Sequence, residues 1–204
     1  MKLAVSILQI KNINDLKVID NLDFDYLHLD IMDGLFVPNK TWEYEEINSF
    51  VKDTKTKLDV HLMVNDIDSY IDDFKNLNPE FITFHYEATN DPMKYIKKIK
   101  DLGIKVGMSI KPNTSVEEIK DFLPLLDLVL VMSVEPGFGG QKFMNSAISK
   151  VNELNALKGD YVVEIDGGIN DETIKFVNPD IAVVGSFITN GDYKENKEKL
   201  KRVI

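Results

Sequence analysis

The chain has no cysteine, so disulfides, zinc–thiolate centres and cysteine nucleophiles are excluded together, and a reducing compartment suits it. Arginine is nearly as scarce. The one arginine is Arg202, which leaves the body of the chain without the bidentate guanidinium fork that commonly grips anions. Long apolar runs are missing too: none approaches the ~18 residues of a membrane span. The opening residues Met1–Asp15 lack a small-residue cleavage site and read as a first strand rather than a leader. These absences predict a cytoplasmic protein with no membrane partner. Clustered basic charge is also wanting. With a formal net charge of −10 and no basic stripe, a nucleic-acid partner is not expected, because phosphate backbones reward grouped Lys and Arg. The densest basic stretch, KENKEKLKR near the C-terminus, alternates in sign like a solvated helix face.

What is present is ordinary in amount and regular in arrangement. The 204 residues, 44% hydrophobic and 28% charged, suit one domain over 1–204 with a sizeable core. Eight apolar runs recur, at Lys2–Leu8, Tyr26–Met32, Lys57–Val64, Phe81–Glu87, Lys105–Ile110, Leu128–Val134, Tyr161–Asp166 and Ile181–Ile188. Between them lie stretches with helical spacing, such as Ile67–Leu77, Asp91–Leu102 and Ser115–Phe122. Thr114-Ser115 ahead of Glu117 and Glu118 reads as a helix start, and Gly103 after Leu102 as a helix stop. Eight strands alternating with helices predict an α/β fold, a TIM (β/α)8 barrel. A doubly wound open sheet is the alternative, but Ser6-Ile7-Leu8 follows the first strand where a dinucleotide-binding glycine pattern would be expected.

Four residues near strand ends carry the chemistry. Side chains alternate faces along a strand, so His28, Asp30 and Met32 share one face, as do Asp59, His61 and Met63, and Glu164 with Asp166. In a barrel the strand C-termini form the active face. His28, Asp30, His61 and Asp166 then converge as two imidazoles and two carboxylates, a donor set for a divalent transition metal. His85, flanked by Thr83 and Glu87, reads as a supporting or core polar residue. A second signal is glycine. Gly137-Phe138-Gly139-Gly140 follows the sixth run, Gly167-Gly168 the seventh, and Gly185-Ser186 lies at the eighth. Backbone amides brought close by glycine, with a helix N-terminus, could bind an anion that this acidic chain has no side chains to grip. The Pro136–Gly140 loop could also close as a lid.

The segments Ser6-Ile7-Leu8, His28–Asn39, Asp59–Val64, Lys105–Thr114, Val131–Phe143, Glu164–Ile169 and Val183–Ile188 together resemble the ribulose-phosphate 3-epimerases. The resemblance implies one divalent metal cation, zinc, iron(II), manganese or cobalt, on His28, Asp30, His61 and Asp166, with Asp30 and Asp166 as the acid–base pair. It implies substrate contacts from Ser6, His61 and Asp166, a phosphate site formed by Gly137, Phe138, Gly139, Gly140, Gly167, Gly168, Gly185 and Ser186, and a wall of Met32, Met63 and Met132. The expected substrate is a small phosphorylated ketose, D-ribulose 5-phosphate going to D-xylulose 5-phosphate, and the expected assembly a homo-oligomer. An epimerase for a six-carbon ketose such as allulose 6-phosphate is the nearest alternative, and a non-catalytic phosphosugar-binding barrel a more distant one. An aldolase is disfavoured because no strand end offers a Schiff-base lysine; Lys111 and Lys142 fall in loops.

Overall fold

The computed structural model describes residues 1–10, 12–157 and 159–204. Eight parallel strands close into a barrel in sequence order. They are β1 Lys2–Ser6, β2 Tyr26–Met32, β3 Lys57–Met63, β4 Phe81–His85, β5 Lys105–Ile110, β6 Leu128–Met132, β7 Val162–Asp166 and β8 Ile181–Val184. Parallel strands covered by helices bury both faces, and β2 is buried throughout. Its outward residues Leu27, Leu29 and Ile31 join the apolar sheath under the helices. The inward residues divide by height. Ala4, Tyr26, Phe81, Leu128, Leu130, Ile181 and Val183 fill the barrel with an apolar plug, whereas the C-terminal half carries the polar side chains. At the opposite end Lys57 and Lys105 both pair with Glu80, at 3.0 and 2.6 Å.

The helices are α1 Ile13–Asp20, α2 Tyr44–Val51, α3 Ile67–Phe74, α4 Pro92–Asp101, α5 Val116–Ile119, α6 Ser146–Leu157, α7 Ser186–Thr189 and α8 Tyr193–Lys201. The punctuation read from sequence holds at both places. Glu118 accepts from the Ser115 N–H at 2.8 Å and from the Ser115 hydroxyl at 3.0 Å, which ties off orphan groups at the start of α5. Gly103 takes φ +73°, and its N–H bonds the Lys100 carbonyl at 2.9 Å.

Several runs end earlier than the sequence suggests. β1 stops at Ser6, β4 at His85 and β6 at Met132, and β8 stops at Val184 because Gly185 turns the chain (φ −102°, ψ −99°) into α7. Ser186–Ile188 is therefore helical. The β7–β8 connection contains a single 3-10 turn, Thr173–Phe176. Among the described residues no helix is long and apolar enough to cross a membrane.

Candidate active site and metal centre

The four predicted residues come from β2, β3 and β7 and converge at the C-terminal half of the barrel. Asp30 on β2 pairs with His61 on β3, and Met132 on β6 pairs with Asp166 on β7. One ligand atom from each of His28, Asp30, His61 and Asp166 lies within 4.8 Å of the others. Three of these atoms form a tight triangle. His28 Nε2 is 3.4 Å from His61 Nδ1, His28 Nε2 is 3.5 Å from Asp30 Oδ1, and His61 Nδ1 is 3.2 Å from the same oxygen. Tetrahedral ligands at ~2.1 Å from a metal are about 3.4 Å from each other, so the donors stand at coordination spacing.

Further contacts orient each donor. His28 Nδ1 bonds Asp59 Oδ2 at 2.5 Å, leaving Nε2 turned to the site, and the Ser6 hydroxyl donates to Asp30 Oδ2 at 2.6 Å. Thr41 Oγ1 accepts from the Met32 N–H at 2.9 Å and donates to the Asp30 carbonyl at 2.8 Å. The Asp166 carbonyl accepts from the Ser133 N–H and hydroxyl, at 2.7 and 2.8 Å. His61 Nε2 lies 2.8 Å from His85 Nε2, whose ring reaches Glu87 through Nδ1 at 3.2 Å.

The electrostatics fit a cation. Burial by itself would push His28 down, but Asp59 and Asp30 hold it well above the usual imidazole range. Burial likewise opposes ionisation of Asp30, yet the His28 charge holds its carboxyl far below the usual carboxylate range. With Nδ1 committed to Asp59, the proton on His28 Nε2 is what lets three otherwise electron-rich atoms face one another. A divalent ion replaces such a proton when imidazole and carboxylate ligands are metallated. Lost hydration and then the Asp30 charge push Asp166 up to about 7. Burial lowers His61 and takes His85 down to about 4, keeping both rings neutral near pH 7. Glu164, in the level below, is raised by burial and by Asp59 and holds its proton.

Above the tetrad opens a cleft. Ser6, Asp30, Asp166 and the three methionines Met32, Met63 and Met132 line it, and so do the glycine segments Gly137–Gly140, Gly167-Gly168 and Gly185-Ser186. His28 and His61 do not; both are fully buried beneath its floor. Phe138 is 56% exposed at the tip of the loop over the cleft, where Gly137 and Gly140 take φ +119° and +74°.

A ribulose-phosphate 3 epimerase family model matches residues 2–189. The chain belongs to that family. It is 41% identical to the ribulose-phosphate 3-epimerase of Mycobacterium tuberculosis strain H37Rv, over 82% of this chain and 76% of the relative. With the Helicobacter pylori strain 26695 enzyme of the same name it shares 36% identity over 98% of this chain and 94% of the relative. Membership makes the chain an isomerase, an epimerase of carbohydrate metabolism. Solved structures at low identity show the barrel alone. KGPDC from Streptococcus mutans superposes with TM-score 0.70 at 16% identity, covering 99% of this chain and 98% of that one. The 3-hexulose-6-phosphate synthase of Salmonella typhimurium gives 0.68, also at 16%, covering 100% and 98%.

The sequence pointed to the tetrad, the glycine loops and His85 as a supporting residue, but not to the other residues that orient the donors. Asp59 could be placed on the His61 face by parity; that it serves His28 depends on the His28–Asp59 register. Ser133 and Thr41 act through loop geometry and carry no local sequence signal.

Proposed function

We propose that this epimerase interconverts D-ribulose 5-phosphate and D-xylulose 5-phosphate, with Asp30 and Asp166 exchanging the C3 proton on opposite faces of the substrate. The observation that carries the reading is the placement of the two carboxylates: Asp30 comes from β2 and Asp166 from β7, and both line the cleft beside the histidine nitrogens. In the metal-free site His28 holds Asp30 far below the usual carboxylate range while burial raises Asp166 to about 7, so their surroundings pull the two acids apart in the sense that a base and an acid require. Asp30 then takes the C3 proton, Asp166 returns one to the other face, and the roles exchange in the reverse direction. Ser6, bonded to Asp30 Oδ2, keeps the carboxylate aimed into the cleft.

A divalent transition metal on His28, Asp30, His61 and Asp166 would supply Lewis-acid stabilisation of the enediolate charge, on the order of several kcal/mol. Met32, Met63 and Met132, each about 2% exposed or less, wall the reacting carbon with soft apolar surface and keep water out. Ser6, His61 and Asp166 serve the reacting end, His61 from beneath the floor. The backbone amides of Gly167, Gly168, Gly185 and Ser186, with the Gly137–Gly140 loop, hold the phosphate in place of cationic side chains. That loop closes over the bound sugar, with Phe138 at its tip.

The direct test is conversion of D-ribulose 5-phosphate by purified protein before and after exhaustive chelation. Formation of D-xylulose 5-phosphate that disappears on chelation and returns with a divalent ion supports the proposal. Undiminished turnover in protein shown metal-free by elemental analysis overturns the metal assignment, and no turnover of this substrate overturns the reaction.

A further inference from the structure

Beyond the metal ligands, a buried hydrogen-bonded line leaves the site through β4. His61 Nε2 and His85 Nε2 are 2.8 Å apart, His85 Nδ1 is 3.2 Å from Glu87 Oε2, and both rings are fully buried. Only one proton fits between the two facing nitrogens. If His61 donates it, His61 Nδ1 keeps a lone pair for the site; if His85 donates it, His61 Nδ1 carries a hydrogen that blocks coordination.

Glu87 favours the first, as does the His28 Nε2–H that faces His61 Nδ1 at 3.4 Å, against Asp30 Oδ1, which at 3.2 Å from that nitrogen favours the second. Glu87 Oε1 accepts from the Lys111 backbone N–H at 2.7 Å and from the Thr114 hydroxyl. The Lys111 N–H cannot reverse its polarity. The same loop is clamped from outside by Lys150, whose ammonium donates to the carbonyls of Lys111 and Pro112, both at 2.8 Å, and to that of Thr114. The Phe36 ring lies against His85 at a centroid distance of 4.9 Å. A fixed carboxylate on Nδ1 makes His85 donate there and accept at Nε2.

We propose that Glu87 is a positioning residue for the metal centre, acting through His85 to keep the Nδ1 lone pair of His61 turned toward Asp30 and His28. The role rests on the metal-centre reading above. Glu87→Gln probes it sharply, because a carboxamide cannot serve both sides as an acceptor. With its oxygen toward the Lys111 N–H, its NH2 donates to His85 Nδ1 and reverses the whole line, placing a hydrogen on His61 Nδ1.

The experiment has two arms. Nitrogen-15 NMR of the imidazoles in metal-free protein near pH 7.5 should show His61 protonated at Nε2 in the wild type and at Nδ1, wholly or in part, in E87Q. Competition between a chelator and Zn²⁺ or Co²⁺ should show affinity lower by about 10–100-fold in E87Q, the usual scale for losing a partner of a ligating histidine. Should E87Q not fold, His85→Phe removes the acceptor for His61 while keeping ring bulk, and should weaken the metal similarly. A purely structural role would lower the melting temperature yet leave the nitrogen-15 pattern and metal affinity unchanged, which overturns the proposal. So would a wild type with its hydrogen on His61 Nδ1. A wild type that takes up neither ion would remove the metal centre and this role with it, whereas the metal-free NMR arm judges the tautomer separately.

Discussion

Replacing Asp166 by Asn should stabilise the metal-free protein, and more so as pH rises. The folded-state pKa is about 7 against 3.8 for a free aspartate side chain. Between those values the native protein holds a proton that the unfolded chain has released, so the contribution of this group to stability falls with rising pH. The slope is about 1.4 kcal/mol per pH unit where the two states differ by a full proton. From pH 5 to pH 8 the wild type therefore loses about 2–3 kcal/mol through Asp166, a loss the isosteric amide cannot suffer. Urea unfolding of wild type and Asp166→Asn at both pH values, with chelator present, measures it. The variant should gain about 2–3 kcal/mol relative to wild type at pH 8 compared with pH 5, while its turnover with metal collapses. An equal stability difference at the two pH values, or one of opposite sign, would show that the site does not raise the Asp166 carboxyl, and the acid–base asymmetry would fall with it.

Other outcomes follow from the same geometry. Asp30→Asn should keep the fold and lower kcat by at least about 10²-fold, the lower end for a lost general acid or base; near-full activity with metal bound would refute its role. His61→Ala should lower metal content by elemental analysis more than His85→Ala, because only the former removes a ligand. Gly185→Ala should raise KM for the phosphorylated sugar while Lys142→Ala should not. At Gly185 a new Cβ meets Ser6 Cβ at an ordinary 3.5 Å, so obstruction of the ligand is separable from misfolding. Gly168 is a poorer probe, since its φ is +61° and a Cβ there would sit 2.5 Å from the Phe143 backbone nitrogen.

Strand parity and chain order were enough to read the barrel and its tetrad from sequence, because inward and outward residues of a buried parallel strand differ sharply at β2 and β3. The eighth run shows where such reading stops. Ser186-Phe187-Ile188 is as apolar as a strand continuation, and a short apolar run does not reveal its own backbone geometry; the turn at Gly185 settles it. His85 was legible as a supporting residue, but the pairings that orient the donors were not, for a different reason. Asp59 and His28 are separated by 31 residues, and Glu87 reaches Lys111 and Thr114 across the β4–β5 register, so these partnerships exist only after strands are aligned. Glu164 stood beside Asp166 in the sequence with the same parity, yet its level in the barrel separates a buried, protonated carboxyl from one that faces the cleft.

Proton exchange by two separate carboxylates leaves its mark in the position of isotope after a single turnover. Metal-loaded protein in excess is mixed with D-ribulose 5-phosphate in deuterated water and quenched early. With Asp30 and Asp166 on opposite faces, D-xylulose 5-phosphate should carry solvent deuterium at C3, delivered by Asp166, while unreacted ribulose 5-phosphate keeps its original hydrogen. Product that retains the substrate's own C3 hydrogen would mean that one group moves the proton across both faces, and two-carboxylate exchange would be wrong.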